Sequence, residues 1–99
     1  MANNDPSSAV VLPLSGRVDS NSAQSMETNI RAALGGRKCA SLTLDAAGLE
    51  YISSAGLRVL LSTQKVMNRQ GEMKIRNVSP EIMEIFEVTG FVDILNIES

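Results

Sequence analysis

The spacing of apolar positions changes several times along this chain, and each change predicts a different element. Ala9-Val10-Val11-Leu12-Pro13-Leu14 is an apolar run of strand length. Pro13 removes one ladder donor from it, which places the run near a sheet edge or beside a bulge. Ser15-Gly16 offers a turn, and Arg17-Val18-Asp19 reads as a short second strand. From Ser20 the spacing lengthens. Ala23, Met26, Ile30, Ala33 and Leu34 recur every three or four residues, as one helical stripe does. Ser20 or Ser22 can cap this helix and Gly35-Gly36 can end it. Ser41 to Asp45, with Cys39 and Ala40 before it, alternates as a strand, and Ala46 to Tyr51 reads as a loop or short extension around Gly48. A second helix is expected over about 54–68, carrying Leu57, Leu60 and Leu61 and stopped by Gly71. Met73, Ile75 and Val78 mark another strand, with Lys74 and Arg76 facing away from that side. Ser79-Pro80-Glu81 then opens a third helix with a cap, a proline suited to its first turn and an acidic group that complements its dipole. Ile82, Ile85 and Phe86 form its buried face and Gly90 closes it; Phe91 to Ile97 reads as a short strand or docked segment.

Strands that alternate with amphipathic helices imply right-handed crossovers, a mostly parallel sheet and an α/β fold. Three helices are few for two sheet faces, so one face is expected to carry most of them. The 99 residues correspond to one domain with a modest core, and residues 1–8 are expected to be a flexible polar tail.

Composition narrows the chemistry. An apolar fraction of 43% and a charged fraction of 20% are ordinary for a globular domain and argue against disorder. The net charge of -2, with basic residues scattered singly apart from Arg37-Lys38, argues against a nucleic-acid partner. There is no histidine and one cysteine, Cys39. That excludes Ser-His-Asp triads, His-Cys zinc sites and an internal disulfide, and it fits a reducing cytoplasm. Cys39 reads as a small buried residue, and Met67 and Met73 as core filler. No apolar run approaches the roughly 18 residues of a membrane helix, and the first residues show no signal-peptide pattern, so no membrane association is expected.

The most informative stretch runs from Leu44-Asp45 through Tyr51-Ile52-Ser53-Ser54-Ala55-Gly56-Leu57-Arg58. A strand ending in Asp leads through a spacer to small residues that open a helix. Free amides and the helix dipole at such a point favour an anion, so a hydroxyl there can carry a phosphate without unfolding the helix. Taken alone, a serine before a helix is more often a cap. Neither a Walker loop nor a dinucleotide-binding glycine pattern is present, and no cofactor is implied.

This stretch resembles the signature of the STAS family, and specifically of its bacterial anti-sigma-factor antagonists, in which a strand ending in Asp is followed by Asp-Ser-Ser/Thr-Gly-Leu. Asp45 matches the strand end, Ser54 the phosphorylated serine, and Gly56-Leu57 the closing pair. Gly16-Arg17-Val18-Asp19 resembles the family's early segment, and Asn77 to Gly90 its later one. Ser53 stands where Asp is usual and Ala55 where Ser or Thr is, so Ser53 remains an alternative acceptor, with Ser54 favoured. The resemblance implies one STAS-type domain over residues 9–99, with a mixed, mostly parallel sheet of four to five strands and three to four helices. It implies a binding protein rather than an enzyme. The unphosphorylated form would bind an anti-sigma factor that is also a serine/threonine kinase, phosphorylation would release it, and a metal-dependent serine phosphatase would restore it. Asp19, Asp45, Ser53, Ala55, Gly56, Leu57 and Arg58 would form the partner surface. Each has a plainer reading beside that one: Asp19 as a helix cap, Asp45 as a turn former, Arg58 as a solvated charge. The alternative at the level of function is a constitutive interaction module with no phosphoswitch.

Overall fold

The computed structural model describes residues 9–34 and 40–98. The polar tail, the Gly35-Gly36 helix stop and Cys39 lie outside them. Three parallel strands form one sheet in the order β1 (Ala9–Val18), β2 (Ser41–Ile52), β3 (Glu72–Arg76). Helix α1 (Ser22–Leu34) links β1 to β2, α2 (Ser54–Gln70) links β2 to β3, and α3 (Pro80–Thr89) follows β3. A 3-10 turn covers Phe91–Asp93.

The described residues hold three strands, where four to five were expected. Arg17-Val18 does not form a separate strand, because Ser15-Gly16 does not reverse the chain. β1 runs straight through, and the irregularity is absorbed by register shifts between Pro13 and Ser15 and between Gly16 and Arg17. Gly16 takes a left-handed φ of 73° there, which glycine adopts cheaply. The segment expected as a loop, Ala46 to Tyr51, is strand. Across the two shifts β2 advances two residues further than β1 (45 to 48 against 13 to 15, 49 to 51 against 16 to 17). The buried apolar positions of β2 therefore step by two through Leu42, Leu44 and Ala46, then by three to Leu49 and Ile52. That change of step hides the strand from a period-two reading. The tail adds only one bridge, Ile75 to Ile97, held by the Ile75 amide to the Asn96 carbonyl at 2.9 Å and the Glu98 amide to the Ile75 carbonyl at 2.7 Å.

The strand order follows the sequence order, so each right-handed crossover steps in the same direction and lays its helix on the same face. Leu14, Leu44, Ile75, Leu60, Met67 and Phe86 are buried between that face and the helices. The opposite face is largely open to solvent, with only Thr43 among the described residues buried at its centre: Val11 is 57% exposed, and Arg17 and Arg76 are exposed. Pro13 lies on β1, an edge strand, with the bulge directly after it, so both consequences of its missing donor are realised.

The helix ends follow from local chemistry. Ser79 accepts a hydrogen bond from the Ile82 amide at 3.3 Å, Pro80 sits in the first turn of α3, and Gly90 closes it at φ 81°. At the end of α2, the Gly71 amide donates to the Met67 carbonyl at 2.8 Å. A side chain at position 71 would overlap the Ala40 carbonyl oxygen. Among the described residues no helix is long and apolar enough to cross a membrane.

Phe86→Ala is expected to cost about 3–5 kcal/mol by emptying a fully buried site. Ser79→Ala is expected to cost about 1 kcal/mol through the lost cap. Urea midpoints of the two variants check both values. Gly71→Ala should lower the midpoint too, although the residue is exposed, because backbone must move to admit the methyl group.

Candidate functional site

The site forms where β1 and β2 end side by side. Val18 and Ile52 are partners in register, and the Ser53 amide donates to the Val18 carbonyl at 2.7 Å. The chain then turns directly into α2. Ser53 has extended backbone (φ -89°, ψ 175°), its Oγ accepts from the Gly56 amide at 3.3 Å, and its carbonyl accepts from the Leu57 amide at 2.9 Å. Ser53 is therefore the cap of α2. Ser54 is the first helical residue; it is exposed, and its hydroxyl has no hydrogen-bond partner among the described residues. The two serines that the sequence left as alternatives are thus separated by role. One oxygen is engaged in holding the helix start, and the other is free in solvent.

Gly56 and Leu57 hold this junction in place. Both are buried. A Cβ at position 56 would lie 2.6 Å from Ile52 Cγ1 and 2.7 Å from Val18 Cγ1, so glycine is what lets α2 sit against the strand ends. Both residues are packed at this junction and not exposed to solvent. Ala55 is half-buried and Arg58 is exposed.

Asp19 follows Val18 and opens α1. Its Oδ1 accepts from the Asn21 and Ser22 amides, both at 3.0 Å, while its own amide donates to Ser22 Oγ at 2.9 Å. This is a reciprocal capping pair, and Asp19 remains exposed beside the Ser53 junction. Asp45 lies elsewhere. It pairs with Pro13 and Arg76 in mid-sheet, and the rest of β2, about seven residues, separates it from Ile52 by roughly 20 Å at the usual rise. It does not join the surface around Ser54. Its carboxylate accepts from Asn77 Nδ2 at 3.0 Å and from the Ala47 amide at 3.0 Å, and it stands 3.8 Å from the Arg76 guanidinium. Asn77 takes a left-handed φ of 59° in this turn. Asp45 thus ties β2 to the turn that launches α3.

The sequence reading missed Arg17 and Tyr51. They are partners across β1 and β2, and the guanidinium lies 4.6 Å from the ring centroid. With residues 46–51 read as a loop, nothing placed the two side by side. Among the described residues no group of three or more His, Cys, Asp or Glu is placed to hold a metal ion.

The family model described as "Mlab, STAS domain" matches residues 1–96. The chain belongs to the STAS domain family. It is 39% identical over 84 residues to a Bordetella bronchiseptica protein named as an anti-sigma factor antagonist, BtrV, covering 82% of this chain and 70% of that one. It is 27% identical over 89 residues to the anti-sigma F factor antagonist of Paenibacillus polymyxa, covering 89% of this chain and 76% of the relative. Among solved structures, an anti-sigma factor antagonist from Mycobacterium paratuberculosis superposes with a TM-score of 0.80 at 22% identity, over 90% of this STAS chain and 76% of that one. The unphosphorylated form of SpoIIAA superposes with a TM-score of 0.75 at 17% identity, over 93% and 82%. At these identities the structural likeness establishes the fold.

Two expectations follow from the capping geometry. Ser53→Ala should lower stability by about 1 kcal/mol. Ser54→Ala should stay within about 0.5 kcal/mol, as an exposed side chain without a partner does; thermal or urea unfolding of the pair tests the division of roles. The second expectation concerns pH. The Ser22 amide and hydroxyl, then the Asn21 amide, hold the Asp19 carboxyl below its usual range, and Asn77, then the Ala47 amide and Arg76, do the same for Asp45. Carboxyls depressed on folding contribute stability above the unfolded pKa of about 3.9 and lose it as pH falls through the folded values. Asp19→Ala and Asp45→Ala should therefore be less stable than the wild type at pH 6, and the gap should narrow toward pH 3.

Proposed function

We propose that this STAS domain is an anti-sigma factor antagonist that works by partner switching, with Ser54 as its phosphorylation site. Unmodified, it binds an anti-sigma factor that is also a serine/threonine kinase. Phosphorylation of Ser54 ends the complex, and a serine phosphatase resets it. Support for the role comes from relatives named anti-sigma factor antagonists across most of the chain. Support for the residue comes from one observation: Ser54 Oγ is exposed and unengaged at the first position of α2, while the neighbouring Ser53 Oγ is occupied as the cap.

The chemistry is a transfer supplied by the partner. Ser54 Oγ forms a bond to the γ-phosphorus of ATP, the bond from that phosphorus to the bridging oxygen breaks, ADP leaves, and the hydroxyl proton passes to a base of the kinase. The domain contributes an accessible hydroxyl on a rigid helix start and no catalytic group, so it acts as a regulatory binding protein. The product carries a charge of about -1.5 to -2 at neutral pH. Its position in the first turn of a helix is tolerated by the dipole, so the fold holds. In a docked interface, beside the exposed carboxylate of Asp19, the same dianion must lose water and face like charge. On this reading Asp19, Ser54 and Arg58 present side chains to the partner, with Ser53 and Ala55 between them, and Asp45, Gly56 and Leu57 act by holding the scaffold. The switch operates in the cytoplasm, where the kinase and ATP are found together.

Incubation with the cognate anti-sigma factor kinase and ATP, followed by peptide mapping, tests the site. One phosphate on Ser54 is expected in the wild type, and none in Ser54→Ala. Undiminished labelling of Ser54→Ala would refute the assignment.

A further inference from the structure

Most basic side chains around the sheet are already engaged. Arg17 lies over Tyr51, Arg31 pairs with Glu27 at 3.0 Å, Lys74 with Glu98 at 3.5 Å, and Arg76 with Asp45 at 3.8 Å. Arg58 differs. It is exposed in the second turn of α2 and has no ion-pair or hydrogen-bond partner among the described residues. It stands four residues after Ser54, so the two Cβ atoms are about 5–6 Å apart on one face of the helix. An acidic group followed by a basic one four residues later is the favoured order for such a pair. A guanidinium also matches phosphate oxygens with two parallel donors.

We infer that Arg58 is the residue that receives the phosphate on Ser54, closing an intrahelical phosphate–guanidinium pair that exists only in the modified protein. This rests on the reading of Ser54 as the acceptor and adds the group that holds the product. The pair has a regulatory consequence. Before modification Arg58 is a free cation beside the acceptor, available to an acidic group of the partner. After modification the same guanidinium is turned onto its own helix. Phosphorylation then adds a repelling dianion and withdraws an attracting cation in one step. The charged groups facing this arrangement are Glu27, across the shallow groove between α1 and α2 and already paired to Arg31, and the exposed Asp19. Both oppose the dianion, so Arg58 is the side chain that can offset it.

Phosphoserine installed at position 54 by genetic encoding, without the kinase, allows a direct test by 31P NMR titration of the full chain. The second ionisation of the phosphate is expected about 0.3 pH unit or more lower in the wild type than in Arg58→Met, which keeps the apolar stem and loses the charge. Arg58→Lys should restore part of the shift. Superimposable titrations of wild type and Arg58→Met would overturn the assignment and leave the acceptor reading standing. A kinase that labels another residue would remove the acceptor reading while leaving the titration result intact. The unmodified Arg58→Met protein should keep the wild-type unfolding midpoint, which separates loss of the pair from damage to the fold.

Discussion

The close approach of α2 to the ends of β1 and β2 is the constraint on which the rest of this molecule depends. Gly56 meets Ile52 and Val18 with no room for a methyl group, and the Ser53 amide is bonded to the Val18 carbonyl. These contacts fix where the helix begins and hence which serine caps it and which faces water. They also join two elements distant in sequence, so that Asp19 at the end of β1 and Ser54 at the start of α2 lie on one edge of the domain. A looser junction would leave the helix start free to fray, and a phosphate there would act on a disordered turn instead of a defined surface.

That rigidity separates two demands that would otherwise conflict. The proposed switch needs a residue that changes its charge fully on a scaffold that does not respond. Here the cap, the glycine contact and the buried Leu57 carry the structure, while the Ser54 hydroxyl takes no part in it. The Asp45–Asn77 tie lies away from this edge, and its work is to hold β2 and the launch of α3.

Much of this was legible in the sequence because it is written in local chemistry. Ser79-Pro80-Glu81 and Gly90 marked α3, Gly71 marked the end of α2, and the stripe Ala23, Met26, Ile30 marked α1. The α/β class followed from their order. The misreading of 46–51 as a loop has a physical cause. Where β2 takes two extra residues against β1, the buried positions step by three, and a strand with that step does not show the alternation by which strands are read. The same error hid the Arg17–Tyr51 contact, and it made Asp45 look like the end of its strand, a short loop away from the site, when most of a strand lies between them. The separation of Ser53 from Ser54 could not be read from a pair of identical side chains; it depends on which one has extended backbone where α2 starts.

The central claim is that one modified hydroxyl releases a docked protein while its own fold is undisturbed. Calorimetric titration of the cognate kinase against the unmodified chain and against the chain carrying phosphoserine at 54, with amide spectra of both free forms, measures both halves at once. The account predicts affinity weakened roughly 100- to 1,000-fold, with spectral changes confined to residues near the α2 start. Equal affinities, or weak binding accompanied by spectral changes throughout the domain, would contradict it.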